Sequence, residues 1–217
     1  IIVAAGDSVT VEIITTTNTE GGQLANIPWT VTLDTGDIYL VQAQNSGDDL
    51  TGSRIRSLNS NQTYAVYNGH TWAWTFCSGN KDPLYEVAYP SKSLGKEYVL
   101  IPSVGRLIDL FRVVARDNNT DVYVDGNWVA NINTGQYYED TISKPTLVIG
   151  SKPVSVAQYL VTGQCDGAPV GDPSIVIINS NEQMYLDTVT FFAIREYAID
   201  SNYVNIVIRA ADTATVL

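Results

Sequence analysis

An internal repeat constrains the fold of this chain more than any other feature of its sequence. The segment Trp29–Tyr39 aligns without a gap with Trp128–Tyr138. In each segment, alternating apolar residues flank a Thr-Gly pair, a pattern that predicts a strand, a turn and a second strand. Glycine readily adopts the positive φ that such a turn needs. We therefore expect the same strand-turn-strand element to occur twice.

The repeat extends beyond this strand-turn-strand element. Thr63–Tyr67 corresponds to Pro153–Ala157, and Asp82-Pro83 corresponds to Asp172-Pro173, each pair 90 positions apart. An element with Asp and Thr three positions apart occurs at Asp7–Val11, Asp117–Val122 and Asp212–Val216. The pattern predicts two related units of roughly 100 residues each. Residues 1–100 would form the first unit, and residues 101–217 would form a second unit that shares strands with it. The chain would then start and stop at the same point of its own repeat.

The strand predicted near the N terminus runs from about Val9 to Thr16. It needs a partner, because unpaired strand edges recruit other strands. Its apolar residues Val9, Val11 and Ile13 are the candidates for an assembly strand. The strand can either close this chain on itself or join a neighbouring chain, and the sequence leaves both outcomes open.

Composition favours β-structure. The 13 Tyr and 4 Trp residues, together with abundant Val, Ile and Thr, suit half-buried strand faces, whereas strong helix formers are scarce. The hydrophobic content of 45% is enough for a buried core. We expect an all-β, antiparallel fold in which the two units form sandwich-like sheets. A β-propeller-like arrangement is the alternative.

The charge balance limits the possible partners. A net charge of −11, with only 12 basic residues, argues against nucleic acid, because phosphate binding requires a Lys- and Arg-rich surface. An anionic membrane would repel the chain as well. No apolar run approaches the roughly 20 residues that a helix needs to span a bilayer. Neither nucleic acid binding nor membrane insertion is expected.

The two cysteines, Cys77 and Cys165, each lie in a segment rich in Gly, Ser and Asp. With one histidine in the chain they cannot form a Cys/His zinc site. A single disulfide is the favoured interpretation, and two free thiols are the alternative. The sequons that begin at Asn61 and Asn118 are candidate glycosylation sites and suit an exported chain.

Few residues suggest catalysis. Nucleophilic mechanisms need a base, most often histidine, and the single histidine, His70, has no Gly-x-Ser-x-Gly nucleophile motif near it. Carboxylate pairs such as Asp48-Asp49 could in principle hydrolyse glycosides, but in a chain with 23 acidic residues such pairs arise by chance. The sequence predicts a non-enzymatic protein without a cofactor.

Two further patterns suggest ligands. Trp72 and Trp74 alternate, so both side chains would project from one face of a strand and could stack on sugar rings. Asp117–Asp121 carries oxygen ligands at alternate positions, as calcium loops do, but lacks the glycine and glutamate expected further along such a loop. A turn in which Asp caps backbone amides explains the Asp and Thr spacing better, so no metal site is predicted.

Several short motifs, in the right order, resemble a known family, the N-terminal domain of the IgG Fc-binding protein. The similarity covers roughly Asp49 to Val207. The motifs are Leu50–Ile55, Gly95–Val99, Phe111–Ala115, Lys152–Tyr159, Gly171–Ser174 and Tyr203–Ile206.

The resemblance implies an extracellular, non-enzymatic β-rich module of mucus-associated animal proteins and large bacterial surface proteins. Members of that family carry more cysteines around the segment equivalent to Trp72–Cys77. This difference weighs against a local disulfide and leaves a Cys77–Cys165 link as the alternative. No antibody-binding residue is carried over.

Repeat, composition and resemblance together predict a secreted or cell-surface structural and adhesive module. Such a module would be a repeat of a larger surface protein or a filament subunit joined by strand complementation. Its partners would be copies of itself, neighbouring domains of a longer chain, or glycans and glycoproteins. A carbohydrate-binding module that uses Trp72 and Trp74 is the second hypothesis, and a glycoside hydrolase-like enzyme is the third.

Overall fold

The computed structural model describes residues 1–59, 61–168, 171–184, 188, 190, 202–208 and 211. The strands in these residues are β1 (Ile2–Ala4), β2 (Val9–Ile14), β3 (Trp29–Leu33), β4 (Ile38–Tyr39), β5 (Arg54–Ser57), β6 (Tyr64–Ala73), β7 (Asp82–Val87), β8 (Gly95–Leu100), β9 (Asp109–Ala115), β10 (Thr120–Val124), β11 (Asn127–Ile132), β12 (Tyr137–Ile142), β13 (Thr146–Leu160) and β14 (Ser174–Ile178). Short 3-10 turns cover Ser91–Ser93, Gly163–Cys165 and Asn181–Gln183. The third copy of the Asp and Thr element, Asp212–Val216, lies outside the described residues.

Strands β1 to β7 form two sheets. One has the order β4-β1-β6-β7 and the other the order β3-β2-β5, with antiparallel pairing throughout. Ile2 and Ala4 from the first sheet share one hydrophobic core with Val11 and Ile13 from the second. The two sheets therefore pack face to face as a small sandwich.

Strands β8 to β14 form a single seven-stranded antiparallel sheet. Its central strand, β13, has 15 residues and crosses both halves of the sheet. The first half of β13 pairs with β10 and β8, and the second half pairs with β9 and β14. A register irregularity between Ile149 and Val154 bends the sheet so that Phe111, Val148 and Val156 meet in a second buried core. The predicted all-β, antiparallel, sandwich-like fold is confirmed.

The strand registers of residues 1–100 can be compared with those of residues 101–217, the two predicted units. In the first unit, Val11 pairs with Val31 on one side and with Ser57 on the other. In the second unit, Val122 pairs with Ala130 and with Gly150. A second pairing is also common to both units. Ala4 on β1 pairs with Tyr64 on β6, and Ala115 on β9 pairs with Val154 on β13. The boundary at residue 100 remains a prediction, and β8, which ends there, pairs with β13.

The turns of the repeat use the same hydrogen bonds twice. The Gly36 amide donates to the Ala4 carbonyl, and the Gly135 amide donates to the Ala115 carbonyl. Asp7 Oδ1 accepts from the Thr35 amide at 3.2 Å. In the second unit the equivalent acceptor for Thr134 is Asn118 Oδ1, at 3.0 Å. The predicted capping turn is present in both units. In the second unit the capping residue is Asn118 and not Asp117, because the strand pairing places Asn118, one residue further along, at the position of Asp7.

One difference between the units determines their sheet organisation. Six residues, 58–63, separate β5 from β6, whereas three residues, 151–153, lie at the equivalent point inside β13. The first unit therefore has two separate strands, β5 and β6, where the second has one bent strand. In the second unit, β8 pairs with the part of β13 that corresponds to β5. No described strand pairs with β5 at the equivalent edge, so β5 is the last strand of its sheet.

The N-terminal strand closes on its own chain. Val9, Val11 and Ile13 on β2 are almost completely buried and face the first core. Strands β3 and β5 occupy the two edges of β2. The sequence left open whether this strand pairs within its own chain or with a neighbouring chain. In the structure it pairs within its own chain.

Candidate interaction surfaces

An aromatic hairpin, defined here as β6, β7 and the loop between them, forms one end of the sheet β4-β1-β6-β7. Trp72 is 64% exposed and Trp74 is 48% exposed. The pairing of β6 with β7 shifts register between His70 and Ala73, so the regular alternation of side chains is interrupted where the two tryptophans lie. Both candidate ligand-binding rings therefore reach solvent, and Trp74 lies one residue beyond the end of β6.

The two rings differ in how open they are. The Lys81 ammonium lies 4.1 Å from the centroid of the Trp74 ring. This cation–π contact covers one face of Trp74. Near the base of the hairpin, the rings of Tyr67 and Tyr85 stack at 5.5 Å, and the Tyr85 side chain is exposed. The hairpin thus presents several aromatic groups to solvent, a property that commonly marks interaction sites.

The loop of the aromatic hairpin is bonded covalently to the second unit. Cys77 and Cys165 form a disulfide across a sequence separation of 88 residues. Thr75 Oγ1 donates to the Leu160 carbonyl at 2.7 Å, and the Thr162 amide donates to the Thr75 carbonyl at 3.4 Å. The favoured disulfide is therefore confirmed, and it joins the loop between β6 and β7 to the equivalent loop between β13 and β14.

A buried ion pair lies beside this disulfide. The side chains of Arg106 and Asp166 are 6% and 0% exposed, with Arg106 Nε 2.8 Å from Asp166 Oδ2. Asp166 also accepts from the Leu107 and Ala168 amides. The hydrogen bonds from Arg106 keep the pKa of the Asp166 carboxyl below its ordinary value. Because the charges are paired and hydrogen-bonded, the pair can remain ionised in the interior.

A second cluster joins the units at Arg112 on β9. Its guanidinium bonds Asp49 Oδ2 at 2.6 Å, forms an ion pair with Glu139, and lies 4.5 Å from the Tyr137 ring. Burial opposes ionisation of Asp49, but hydrogen bonds from Thr51 and Arg112 outweigh it and lower the pKa of the carboxyl. Sequence analysis missed this cluster, since no local pattern indicates that Asp49 meets a strand 63 residues away.

An open cleft of about 520 Å³ adjoins the Arg112 cluster. Its lining residues are Thr16, Asp49, Thr51, Ile132, Gly135, Gln136 and Tyr137. Asp49, the acidic residue in this lining, is already bonded to Arg112. Catalysis by acid and base requires groups that can exchange protons, and a carboxylate held by a guanidinium is poorly suited to that role. The cluster is better suited to holding the two units together.

The remaining catalytic and metal candidates do not converge. His70 is an exposed residue of β6. Asp117 pairs with Arg116, and Asp121 accepts from Trp128 Nε1 and Asn131 Nδ2. Within the described part of the chain, no group of three or more His, Cys, Asp or Glu residues could hold a metal ion.

Both candidate glycosylation sites are exposed. Asn61 lies in the turn before β6, and Asn118 lies in the turn between β9 and β10. The Asn118 side chain uses Oδ1 to accept from Thr134, which leaves its amide nitrogen, the atom a glycan would be attached to, outside that bond. Their glycosylation remains a prediction.

These features define a disulfide-bonded, all-β module with exposed aromatic surface, in which a small sandwich is linked to a single bent sheet. The chain belongs to the IgGFc binding protein family, whose model matches residues 1–217. No curated protein and no solved structure matches it. The family consists of binding and structural domains that are generally extracellular. Among the described residues, no helix has the length and apolarity to cross a membrane.

Proposed function

We propose that this chain is a non-enzymatic extracellular structural and adhesive module that binds proteins or glycoproteins through the aromatic hairpin. The exposure of Trp72 and Trp74 carries this proposal. Folding normally buries such large apolar groups, and exposed clusters of them mark binding surfaces. The family membership supports a binding role outside the cell.

The anchoring of the hairpin supports the same function. The Cys77–Cys165 disulfide fixes the loop that carries Phe76, which is itself exposed. An anchored loop loses less conformational entropy on binding than a free one, so more of the contact energy contributes to affinity. Disulfides form and persist in oxidising, extracellular environments, which agrees with the proposed location.

A binding panel tests the proposal. Biolayer interferometry would measure the protein against an IgG Fc fragment, a gel-forming mucin and a second sample of the protein itself. We expect binding to at least one of these and at least a tenfold loss of affinity in a Trp72→Ala, Trp74→Ala double variant. Trp128→Ala is the matched control, because Trp128 is equally exposed but lies on β11 of the second unit. Equal binding by the double variant, or none across the panel, would refute the proposal.

Carbohydrate binding is the second candidate function, favoured by the open ring of Trp72. Sugars stack on aromatic faces, and Lys81 already covers one face of Trp74. A glycan array should therefore show binding that Trp72→Ala abolishes and Trp74→Ala weakens less. An array without any bound glycan would eliminate this candidate while leaving protein binding through the hairpin intact.

A further inference from the structure

Among the described residues, no strand pairs with the outer edge of β5, although the equivalent edge in the second unit is paired. Strand β5 pairs with β2 and ends its sheet. The corresponding part of β13 pairs with β10 on one side and with β8 on the other. In the second unit, β8 fills this strand position; in the first unit, no described strand does.

Strand registers identify which residues would face a strand in that position. Ile55 pairs with Ile13 on β2, as Val148 pairs with Val124 on β10. In the second unit, Val148 also faces Tyr98 of β8. A strand bound to β5 in the same register would thus place an apolar residue opposite Ile55.

The neighbouring positions on β5 are cationic. Glu97 and Val99 of β8 face Ile149 and Leu147 on β13, and Arg56 and Arg54 occupy the equivalent positions of β5. Both arginines are exposed, and the Arg56 side chain retains 70% exposure although it also pairs with Glu12. Directly opposed strand residues stabilise a sheet when their charges are opposite. The edge therefore favours acidic residues on either side of the apolar one.

Backbone groups on this edge are oriented for pairing. The Leu58 amide donates to the Thr10 carbonyl. Because hydrogen-bonded and non-bonded pairs alternate in antiparallel sheets, the backbone groups of Ile55 and Ser57 point away from β2. In agreement, the Ile55 carbonyl accepts a hydrogen bond from the Tyr64 hydroxyl at 3.1 Å. A side chain thus occupies one acceptor of the open edge.

We propose that the edge of β5 binds an extended segment of a partner protein, antiparallel and in the register of β8, whose residues alternate acidic, apolar, acidic. The apolar residue covers Ile55, which is only half-buried, whereas its equivalent Val148 is completely buried. The acidic residues pair with Arg54 and Arg56. The partner strand completes the sheet β3-β2-β5 as β8 completes its own.

A peptide based on β8 tests the proposal. Its sequence is that of Gly95–Leu100 with Glu in place of Val99, so that acidic residues face both arginines. Titration followed by amide NMR should shift the Ile55 and Ser57 resonances and slow their hydrogen exchange. A peptide N-methylated on the residues that face β5 should not bind, because it lacks the ladder donors.

Variants of the protein separate charge from backbone pairing. An Arg54→Glu, Arg56→Glu double variant should weaken peptide binding at least tenfold, while Arg116→Glu, on the second unit, should leave it unchanged. Tyr64→Phe should strengthen binding, since it frees the Ile55 carbonyl. Thermal melts of each variant check that it is folded, and Tyr64→Phe keeps the proposal testable if the charge reversal unfolds the protein.

Three results would overturn the proposal: no shift at Ile55 and Ser57, equal binding of the N-methylated peptide, or weaker binding by Tyr64→Phe. Self-association that Arg54→Glu, Arg56→Glu abolishes, in the absence of peptide, would identify a second copy of the chain as the occupant instead. The test does not depend on the proposed binding role of Trp72 and Trp74, because the Trp72→Ala, Trp74→Ala variant should bind the peptide normally.

Discussion

Gly52 meets Gly135 backbone to backbone across the two units, so closely that a Cβ atom on Gly52 would overlap the Gly135 carbonyl oxygen. Gly52 also has a φ of 85°, which side-chain-bearing residues rarely adopt. The contact places the Asp49–Gly52 segment against the turn between β11 and β12, where Asp49 reaches Arg112. A feature of backbone geometry thus positions the charges that link the units.

Gly52→Ala should therefore loosen this link. We expect it to lower the free energy of unfolding by about 2–4 kcal/mol, because the methyl group adds overlap to the cost of a positive φ. Gly47→Ala is the matched control, since Gly47 has a φ of 95° and open space around its Cβ position. Chemical denaturation measures both variants, and equal losses would show that the approach to Gly135 is unimportant.

Arg112→Lys tests the charge cluster while keeping the charge. A lysine ammonium cannot bond Asp49 and Glu139 with the planar fork of arginine, nor stack as well on Tyr137. We expect a loss of about 1–3 kcal/mol in unfolding free energy, the range for bonds to charged groups. The exposed pair of Arg56 with Glu12 provides the comparison, and Arg56→Lys should lower the unfolding free energy less than Arg112→Lys does, because solvent screens the pair. A reversed order of the two losses would contradict the assignment.

The disulfide should contribute strongly to stability. Its sequence separation of 88 residues corresponds to about 4–5 kcal/mol in the chain-entropy model. A Cys77→Ser, Cys165→Ser double variant should therefore melt well below the native protein. Mass measurement under non-reducing conditions checks the bond itself. A double variant with an unchanged melting temperature would show that the two loops are held by their other contacts.

Asp166→Asn should destabilise the protein severely. It leaves the Arg106 guanidinium buried without its counter-charge, which costs about 3–5 kcal/mol when one partner of a buried pair is removed. Asp117→Asn is the control, because Asp117 pairs with Arg116 at the surface. Denaturation of the two variants at neutral pH gives the comparison. Similar small losses for both would mean that Asp166 is not a structural charge.

Acid should remove the same contribution from the native protein. The pKa of Asp166 is lowered in the folded state from its ordinary value of 3.8. A lowered folded pKa contributes stability above the unfolded value, and that contribution disappears as the pH falls through the folded value. The stability difference between the native protein and Asp166→Asn should thus be full at pH 7 and shrink below about pH 4. A difference independent of pH would exclude this linkage.

Much of the fold could be predicted because the repeat is written in local patterns. The Trp29–Tyr39 and Trp128–Tyr138 segments both form a strand, a turn and a strand, as β3 and β4 and as β11 and β12. The two strands of each segment pair with other strands and not with each other. Alternating burial along β2 follows the alternation of Val9, Val11 and Ile13. Period-two patterning and turn glycines act over a few residues, so they can be recognised without knowledge of the rest of the chain.

The candidate site was only partly predictable. The exposure of Trp72 and Trp74 does not follow from strand alternation, because the pairing of β6 with β7 shifts register between His70 and Ala73 and Trp74 lies beyond β6. The contact of Lys81 with Trp74 depends on how the hairpin closes. The links Arg112 with Asp49 and Arg106 with Asp166 join residues 63 and 60 positions apart. Sequence patterns do not encode such distances, since many acidic residues could pair with either arginine.

Local patterns in the sequence were enough to predict that this protein is all-β and resembles the IgGFc binding family, and they also predict the repeated unit. Local propensity, residue alternation and turn chemistry suffice for those conclusions. Three features follow from long-range packing instead: β2 pairs within its own chain, residues 1–100 contribute two sheets where the rest of the described chain forms a single bent one, and no described strand pairs with the outer edge of β5. These outcomes depend on which distant strands meet, and the long-range pairing of backbone groups is set by packing of the whole core.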